Sequence, residues 1–258
     1  MKKLSAIILA MMMTVSLVAC GGSKPEASAK PEAKGETPTE DTVSFKTVEK
    51  GTLTMATNAE FPPYEFREGE EFAGIDVEIA KMVAEKLGMT LKIEDMAFDS
   101  IIPSVTSGKA DIGVAGLTVT EDRKKNVDFT NSYVKASQLI IIKKDNTAIK
   151  TTDDLKGKTI GVQLGTTGDI YAGDIEGATI ERYNKGFEAV QALAQGKIDA
   201  VMIDDQVAKA LAEQSPEVVV IEEPFTVEEY AIIVNKENPE LTTAINAVIQ
   251  EMTASGEL

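Results

Sequence analysis

The sequence predicts an α/β protein with two similar lobes, and a repeated pattern is the main reason. Residues 108–123 combine a Gly-Lys-Ala-Asp start, an apolar strand and a polar exit. Residues 196–204 repeat the Gly-Lys-x-Asp start and the apolar strand. A helix-like stretch precedes each copy, at residues 98–107 and 187–195. Two such helix-turn-strand units indicate two lobes, each with buried parallel strands.

The polar exits of the two repeats carry opposite charges. Thr118, Thr120 and Arg123 follow the first strand, and Asp204 ends the second. Open α/β sheets bind ligands just beyond the carboxyl ends of their strands. A guanidinium pairs with a carboxylate through two parallel hydrogen bonds, so Arg123 favours an anionic group. A zwitterion therefore fits between the lobes, although capping a helix is an alternative role for Asp204.

Composition excludes several classes of function. The 258 residues are 43% hydrophobic, and 26 Lys+Arg against 42 Asp+Glu give a net charge of −16, which argues against nucleic acid and anionic lipid as partners. The chain has no histidine and one cysteine, Cys20, which removes His-based triads, His or Cys metal clusters and internal disulfides. We expect no metal and no cofactor, and carboxylate-based catalysis remains open.

The first 50 residues indicate a leader and a tether. Two lysines and an apolar segment up to Val18 are typical of a secretion signal, and the apolar stretch is short for a transmembrane helix. Small residues directly before Cys20 resemble the bacterial lipobox, after which the cysteine is lipidated; a plain buried cysteine is the alternative. We expect a signal peptide over 1–20 and a disordered tether over 21–50, where apolar residues are scarce.

The first lobe opens with a strand and an aromatic loop. Residues 53–57 predict the strand, and the Pro-Pro loop at 58–64 excludes helix at its exit. On this loop Phe61 suits either the core or the wall of a binding site. Phe98 likewise suits either the first core position of its helix or a second aromatic wall.

Two further helices and a strand complete this lobe. Asp76 is predicted to N-cap a helix that ends before Gly88, and residues 91–93 predict a short strand. Asn238-Pro239 begins a terminal helix with an apolar face, which ends at Gly256.

The second lobe is predicted from similar signals. Thr151-x-x-Asp154 is similar to a capping box, and residues 159–162 predict a strand. The Gly/Thr loop at 163–168 either aims backbone N–H groups at an anion or is an ordinary turn into a helix. Residues 206–213 predict the helix that follows Asp204.

An apolar, β-branched stretch at 138–143 predicts a strand that passes between the lobes, and residues 224–234 predict a second one. Two such crossings make a hinge. Lobe 1 is then expected over 51–136 plus 229–258, and lobe 2 over 137–228.

Three segments resemble the extracellular solute-binding proteins of the polar amino-acid ABC importers. They are Gly74-Ile75-Asp76-Val77-Glu78-Ile79-Ala80, residues 117–123 and residues 165–167, and the resemblance spans 51–256. The preceding lipobox strengthens it. The resemblance implies a two-lobed, type II periplasmic-binding-protein-like fold with two crossing strands as its hinge.

The resemblance also implies roles for individual residues. Arg123 would hold the α-carboxylate of a free amino acid, with help from Thr118 and from the loop at Thr166. Asp204 and the carbonyl group of Gly116 would hold the α-ammonium.

The side chain of the amino acid would lie between Phe61 and Phe98, with Asn58, Glu60 and Gln163 near its pocket. Asn58 stands where several family members have Asp, and Gln163 stands where glutamine binders often have Lys. These departures favour an uncharged polar or basic amino acid over a dicarboxylic one.

The resemblance implies a clamp that delivers its amino acid to a membrane permease. We expect a monomer without enzymatic activity, anchored through a lipid on Cys20 at the extracytoplasmic face of the cell membrane. Two alternatives remain. One is a lyase similar to the cyclohexadienyl dehydratases, with Glu60 or Asp204 as the acid. The other is a sensory receptor that uses the same clamp.

Overall fold

Two five-stranded sheets of matching topology form the framework of residues 45–258, the part of the chain that this computed structural model describes. In spatial order, the first sheet contains β5 (Thr90–Asp95), β1 (Thr52–Thr57), β6 (Ile112–Gly113), β13 (Ile233–Asn235) and β7 (Val127–Phe129). The second contains β10 (Thr179–Tyr183), β9 (Thr159–Gln163), β11 (Ala200–Asp204), β8 (Val134–Lys143) and β12 (Val218–Tyr230). In each sheet the first three strands are parallel, and the fourth runs antiparallel to both neighbours. The prediction of two similar α/β lobes is confirmed.

Helices flank both sheets. They are α1 (Ile75–Lys86), α2 (Ile101–Thr106), α3 (Glu121–Lys124), α4 (Thr167–Gly173), α5 (Gly186–Ala194), α6 (Asp205–Glu213) and α7 (Pro239–Ser255), with short 3₁₀ helices at Phe98–Ser100 and Thr152–Leu155. The predicted capping box of Thr151 and Asp154 is present. Among the described residues, none of the helices has both the length and the apolar character that crossing a bilayer requires.

The two long strands β8 and β12 pair with each other and carry the chain between the lobes. Their pairing runs from Val218 opposite Lys143 to Tyr230 opposite Val134, with a shift of register between Ile221 and Thr226. After β12 the chain enters the first sheet as β13, while β8 serves as the fourth strand of the second sheet. The two predicted crossings are therefore present.

The aspartate of each Gly-Lys-x-Asp repeat has the same structural role. Asp111 accepts a hydrogen bond from the backbone N–H of Thr54 at 2.7 Å, and Asp199 accepts one from Thr159 at 2.8 Å. Each carboxylate thus holds the first strand of its lobe, β1 or β9, through a backbone N–H of that strand. The Gly-Lys-x-Asp repeat therefore reflects a backbone contact that both lobes share.

Several local predictions were wrong. The apolar strand predicted within residues 108–123 is only two residues long, as β6. The Pro-Pro loop opens a small sheet of β2 (Glu60–Phe61), β3 (Glu65–Glu68) and β4 (Glu71–Ala73), which the sequence did not indicate. Asp76 does not cap α1, because Gly74 occupies the N-cap position and Asp76 lies fully buried inside the helix.

Contacts with the folded body begin inside the segment predicted as a tether. The N–H of Val48 donates to Asp111 at 2.7 Å, and the side chain of Asn238 donates to the carbonyl of Lys46 at 2.8 Å. The predicted leader, Cys20 and the tether up to residue 44 lie outside the described residues.

Candidate functional site

A buried amide pair joins the lobes across the cleft. Gln163 Nε2, at the end of β9, donates to Asn58 Oδ1 in the other lobe at 2.8 Å, and Asn58 Nδ2 donates to the carbonyl of Met96 at 2.8 Å. Asn58 is 6% exposed and Gln163 is 2% exposed. The two positions at which the chain departs from the resembled family therefore contact each other. Neither side chain brings a charge to this part of the cleft.

A second inter-lobe pair lies at the edge of the cleft. Lys185 Nζ is 2.5 Å from Glu60 Oε1, and both side chains are partly exposed to solvent. A crevice of about 360 Å³ opens beside this ion pair and the amide pair. Its lining residues are Asn58, Glu60, Asp95, Met96, Ala97, Asn184 and Lys185. Asn58 and Glu60, which were predicted near the side-chain pocket, thus share one opening.

Arg123 lies deep in the cleft on the short helix α3, which Thr120 caps by accepting the N–H of Arg123 at 3.2 Å. The guanidinium is held from both lobes, because Nη1 donates to the carbonyl of Thr118 at 2.8 Å and Nη2 donates to the carbonyl of Gly165 at 3.2 Å. The ring of Phe98 lies 5.4 Å from Arg123 Cζ. Phe98 also packs against the core of its lobe, which confirms its predicted core role, and its role as an aromatic wall of the binding site stays a prediction.

Asp204 ends β11 and faces the same cleft. It occupies the N-cap position of α6, yet its side chain makes no capping hydrogen bond. Capping falls to Asp205, whose Oδ1 accepts the N–H of Gln206 at 2.7 Å. The hydroxyl of Tyr230 donates to Asp204 Oδ1. The capping alternative for the Asp204 side chain is thus excluded in this conformation.

The electrostatics of the cleft couple the two charged groups. Burial lowers the pKa of Arg123, while the carboxylates of Glu228 and then Asp204 act to raise it. Burial, and then the charge of Glu228, raises the pKa of Asp204 to about 7, against the lowering effect of the hydrogen bond from Tyr230. Arg123 is 8% exposed and Asp204 is 4% exposed. A guanidinium and a carboxylate from different lobes therefore share one desolvated space.

Gly116 requires its glycine. Its φ of 53° lies in the left-handed region, and a Cβ added there would meet a ring carbon of Phe61 at 3.1 Å. The N–H of Gly116 donates to Asp76 Oδ2 at 2.7 Å, and the hydroxyl of Tyr133 donates to the same oxygen at 2.9 Å. Asp76, which the sequence assigned to a helix cap, instead holds the Gly116 peptide in place.

A second carboxyl, that of Glu65, is buried near Asp76. Burial, together with the charge of Asp76, raises the pKa of Glu65 well above its ordinary range. Burial also raises the pKa of Asp76 to about 6, against the lowering effect of the hydrogen bonds from Gly116 and Tyr133.

The hydroxyl groups of Thr118 and Thr166 both bond within the protein. Thr118 Oγ1 donates to Glu228 Oε2 at 3.0 Å. Thr166 Oγ1 donates to the carbonyl of Gln163 at 2.8 Å and caps α4 by accepting the N–H of Asp169 at 3.3 Å. The Gly/Thr loop is thus a turn into a helix, and the binding of an anion by its backbone N–H groups stays a prediction. Thr118 and Thr166 stay predictions as ligand contacts.

Glu228 is a cleft residue that the sequence reasoning missed. It is 4% exposed, and its Oε2 also accepts from Gln138 Nε2 at 3.1 Å. Alternate residues of a strand share a face, so Glu228 lies on the same buried face as Tyr230. Val227 lies on the opposite face and is 73% exposed. The position of Glu228, two residues before an apolar strand residue such as Tyr230, was the signal that could have predicted its burial. In the described part of the chain, no group of three or more His, Cys, Asp or Glu side chains is arranged to hold a metal ion.

Two lobes of matching topology, joined by paired crossing strands, define a type II periplasmic binding protein fold. The sequence profile of the bacterial extracellular solute-binding proteins, family 3, matches residues 53–258. The chain belongs to this family.

Relatives with known ligands share most of the chain. The arginine-binding extracellular protein ArtP of Bacillus subtilis is 33% identical over 263 residues, which cover 100% of this chain and 95% of ArtP. The arginine-bound form of ArgBP from T. maritima is 41% identical, with a TM-score of 0.76 over 78% of this chain and 96% of that chain. An ancestral amino acid-binding protein, AncCDT-1, which is a precursor of cyclohexadienyl dehydratase, is 36% identical, with a TM-score of 0.75 over 80% and 91%.

Proposed function

We propose that this protein is the substrate-binding component of an ABC importer and captures a free basic or uncharged polar amino acid, arginine foremost. The observation that carries the proposal is the burial of Arg123 and Asp204, from different lobes, in one cleft. Opposite charges that act on each other across one cleft suit the carboxylate and ammonium groups of an amino acid. The arginine-binding relatives support the choice of arginine.

Arg123 keeps donors for a ligand. A guanidinium has five N–H groups, and the two hydrogen bonds to Thr118 and Gly165 use two of them. The remaining N–H groups pair with the α-carboxylate. Tyr230 bonds to Oδ1 of Asp204, which leaves Oδ2 for the α-ammonium. The carbonyl of Gly116, whose peptide is fixed by Asp76, accepts a second ammonium hydrogen.

The protein captures its amino acid when the two lobes close around it. An amino acid held by Arg123 on one lobe and Asp204 on the other gains both contacts only when the cleft is shut, so it shifts the population towards the closed form. The direct bonds between Asn58 and Gln163 and between Glu60 and Lys185 add to the stability of the closed form.

The side-chain end of the cleft disfavours a dicarboxylic amino acid. Lys185 is the cation at this end, and Glu60 already neutralises it. The amides of Asn58 and Gln163 are uncharged, and Gln163 Oε1 is buried without a donor among the described residues. A guanidinium, ammonium or amide group supplies such a donor, whereas a carboxylate does not.

The proposed setting follows from the N-terminal sequence. Cys20, preceded by small residues, is the proposed lipid attachment site, which would hold a monomer at the extracytoplasmic face of the membrane beside its permease. Labelling cells with a radioactive or clickable fatty acid tests this anchor. The label should appear on the wild-type protein and disappear from Cys20→Ala.

A thermal-shift screen against all twenty amino acids tests the proposed ligand class. A ligand that binds only the folded state adds about RT ln(1 + [L]/Kd) to stability, so a ligand at 100 times its Kd adds about 2.7 kcal/mol. Arginine should give the largest rise in melting temperature, followed by other basic or uncharged polar amino acids. Isothermal titration calorimetry then measures each Kd. No response to any amino acid, or a largest response to glutamate or aspartate, would contradict the proposal.

The likeness to AncCDT-1 keeps one enzymatic alternative in view. We propose that the protein binds without catalysis, because Glu60 is paired with Lys185 and Asp204 is placed for an ammonium group. Incubation with prephenate and arogenate, followed by chromatography, checks this point. Formation of an aromatic product above the level of an Asp204→Asn, Glu60→Gln control would favour the lyase.

A further inference from the structure

Glu228 adds a third charged group to the cleft beyond the two that the proposed function uses. It lies on the crossing strand β12 and is 4% exposed. Its Oε2 accepts hydrogen bonds from Thr118 Oγ1 at 3.0 Å and from Gln138 Nε2 at 3.1 Å. Its Oε1 is buried and has no hydrogen-bond partner among the described residues. A buried carboxylate oxygen without a donor is costly unless a cation compensates it.

Arg123 supplies part of this compensation. Among the carboxylates, Glu228 has the largest effect in raising the pKa of Arg123, ahead of Asp204. The hydroxyl of Tyr171 lies nearby as well, and burial together with the charge of Glu228 raises the pKa of Tyr171 to about 12. Glu228 therefore acts on the end of the cleft where Arg123 is proposed to hold the α-carboxylate.

The charges of the closed cleft do not balance. Arg123 faces two buried carboxylates, Asp204 and Glu228, while Glu60 and Lys185 cancel each other. A zwitterion with a neutral side chain brings no net charge and leaves at least one negative charge in excess, because the further buried carboxyls of Asp76 and Glu65 add no positive charge. An amino acid with a cationic side chain removes this excess, which matters because unbalanced charge is expensive in a desolvated site.

We propose that Glu228 is a specificity-determining residue that makes the cleft prefer amino acids with a net positive charge. This inference rests on the proposed function. Glu228 reaches the cleft through Thr118, away from the opening beside Asn58 and Glu60 where the ligand side chain is proposed to lie. Selection by Glu228 is therefore a selection by charge. It extends to any cationic side chain of suitable length, whatever the shape of its head group.

Arginine and citrulline test this inference, because their side chains have nearly the same shape and only arginine is charged. Calorimetry of the full chain gives the ratio of the citrulline Kd to the arginine Kd. Glu228→Gln keeps an acceptor for Thr118 and Gln138 and removes the charge. The ratio should fall roughly tenfold in this variant, the effect of one unit charge about 10 Å away at an effective dielectric constant near 20.

Glu229→Gln is the matched control. Glu229 is the next residue of the same strand, is exposed, and accepts from Ser132 Oγ at 3.0 Å. Glu229→Gln changes the net charge of the protein by the same amount as Glu228→Gln, but solvent screens the charge of Glu229 from the cleft. The ratio should stay within about twofold of the wild-type value. An unchanged ratio in Glu228→Gln, or an equal fall in both variants, would overturn the inference.

If Glu228→Gln does not fold, a measurement on the wild-type protein can still refute the inference. Lysine and ornithine should both bind more tightly than citrulline, because their side chains carry the same positive charge as that of arginine. Tight binding of arginine alone would show selection by head-group shape and would refute the role of Glu228. Absence of binding by every amino acid would instead count against the proposed function, so the two failures are distinguishable.

Discussion

Acid should weaken amino-acid binding through Asp204. Burial, and then the charge of Glu228, raises the pKa of Asp204 to about 7. The proposed contact with the α-ammonium requires the ionised carboxylate, whose fraction falls from about 90% at pH 8 to about 10% at pH 6. The association constant for arginine should therefore fall about tenfold over this range. The ammonium and guanidinium groups of arginine stay protonated throughout.

The same linkage predicts release of a proton on binding. A bound ammonium favours the ionised form, so Asp204 loses its proton when the amino acid enters. About half a proton should be released at pH 7, and about a tenth at pH 8. Calorimetry in two buffers with different ionisation enthalpies measures this number directly. Asp204→Asn should bind more weakly and show neither the pH dependence nor the release.

The empty protein should respond to pH in the opposite sense. A carboxyl with a raised folded-state pKa binds its proton more tightly in the folded chain, so its contribution to stability is lost as the pH rises towards the folded-state value. For Asp204 this loss runs from about pH 4 to pH 7. Asp204→Asn should therefore melt at a higher temperature than wild type at pH 8. An affinity for arginine that is constant from pH 8 to pH 6, without proton release, would refute this account of Asp204.

Three substitutions test other contacts of the closed cleft. Arg123→Ala should cost about 2 to 5 kcal/mol of binding free energy, since it leaves the ligand carboxylate buried without its partner, and calorimetry should show at least a tenfold loss. Asn58→Leu removes the acceptor of Gln163 Nε2 and should cost about 1 to 3 kcal/mol in the same assay. Gly165→Ala places a Cβ 3.1 Å from Asp99 Cβ in the other lobe and should weaken arginine binding about fivefold or more.

Gly69→Ala is the control for the glycine substitution. Gly69 has a φ of 66°, close to the 79° of Gly165, but no atom lies within 4 Å of its added Cβ. Both substitutions strain the backbone by about 1 to 2 kcal/mol and should lower the melting temperature. Only Gly165→Ala should weaken binding. Equal affinities for arginine in Gly165→Ala and Gly69→Ala would contradict the proposed approach of Gly165 to Asp99. Wild-type affinity in Arg123→Ala or Asn58→Leu would contradict the contact that the substitution removes.

The duplicated architecture could be predicted because local signals agreed with each other. The Gly-Lys-x-Asp repeat marks a backbone contact that both lobes share, through Asp111 and Asp199. Residues 138–143 and 224–234, which lie largely in β8 and at the end of β12, predicted the two crossings. The opposite charges at Arg123 and Asp204 stood at strand exits, where open sheets place their ligands.

Side-chain partners across the fold could not be predicted in the same way. Asp76 has the position of a helix cap, and only the tertiary structure brings the Gly116 peptide to it. Glu228 stands beside Val227, and a solvated glutamate next to a buried valine is the usual pattern. Here the strand is oriented so that Tyr230 and Glu228 are buried and Val227 is exposed. The meeting of Asn58 and Gln163 likewise depends on how the lobes approach each other.

A crystal structure of the protein with arginine tests the central claim most directly. The α-carboxylate should lie within hydrogen-bond distance of Arg123, and the α-ammonium should contact Asp204 Oδ2 and the carbonyl of Gly116. Arginine bound elsewhere, for example in the 420 Å³ crevice between the lobes that Arg67 and Phe187 help to line, would contradict the account.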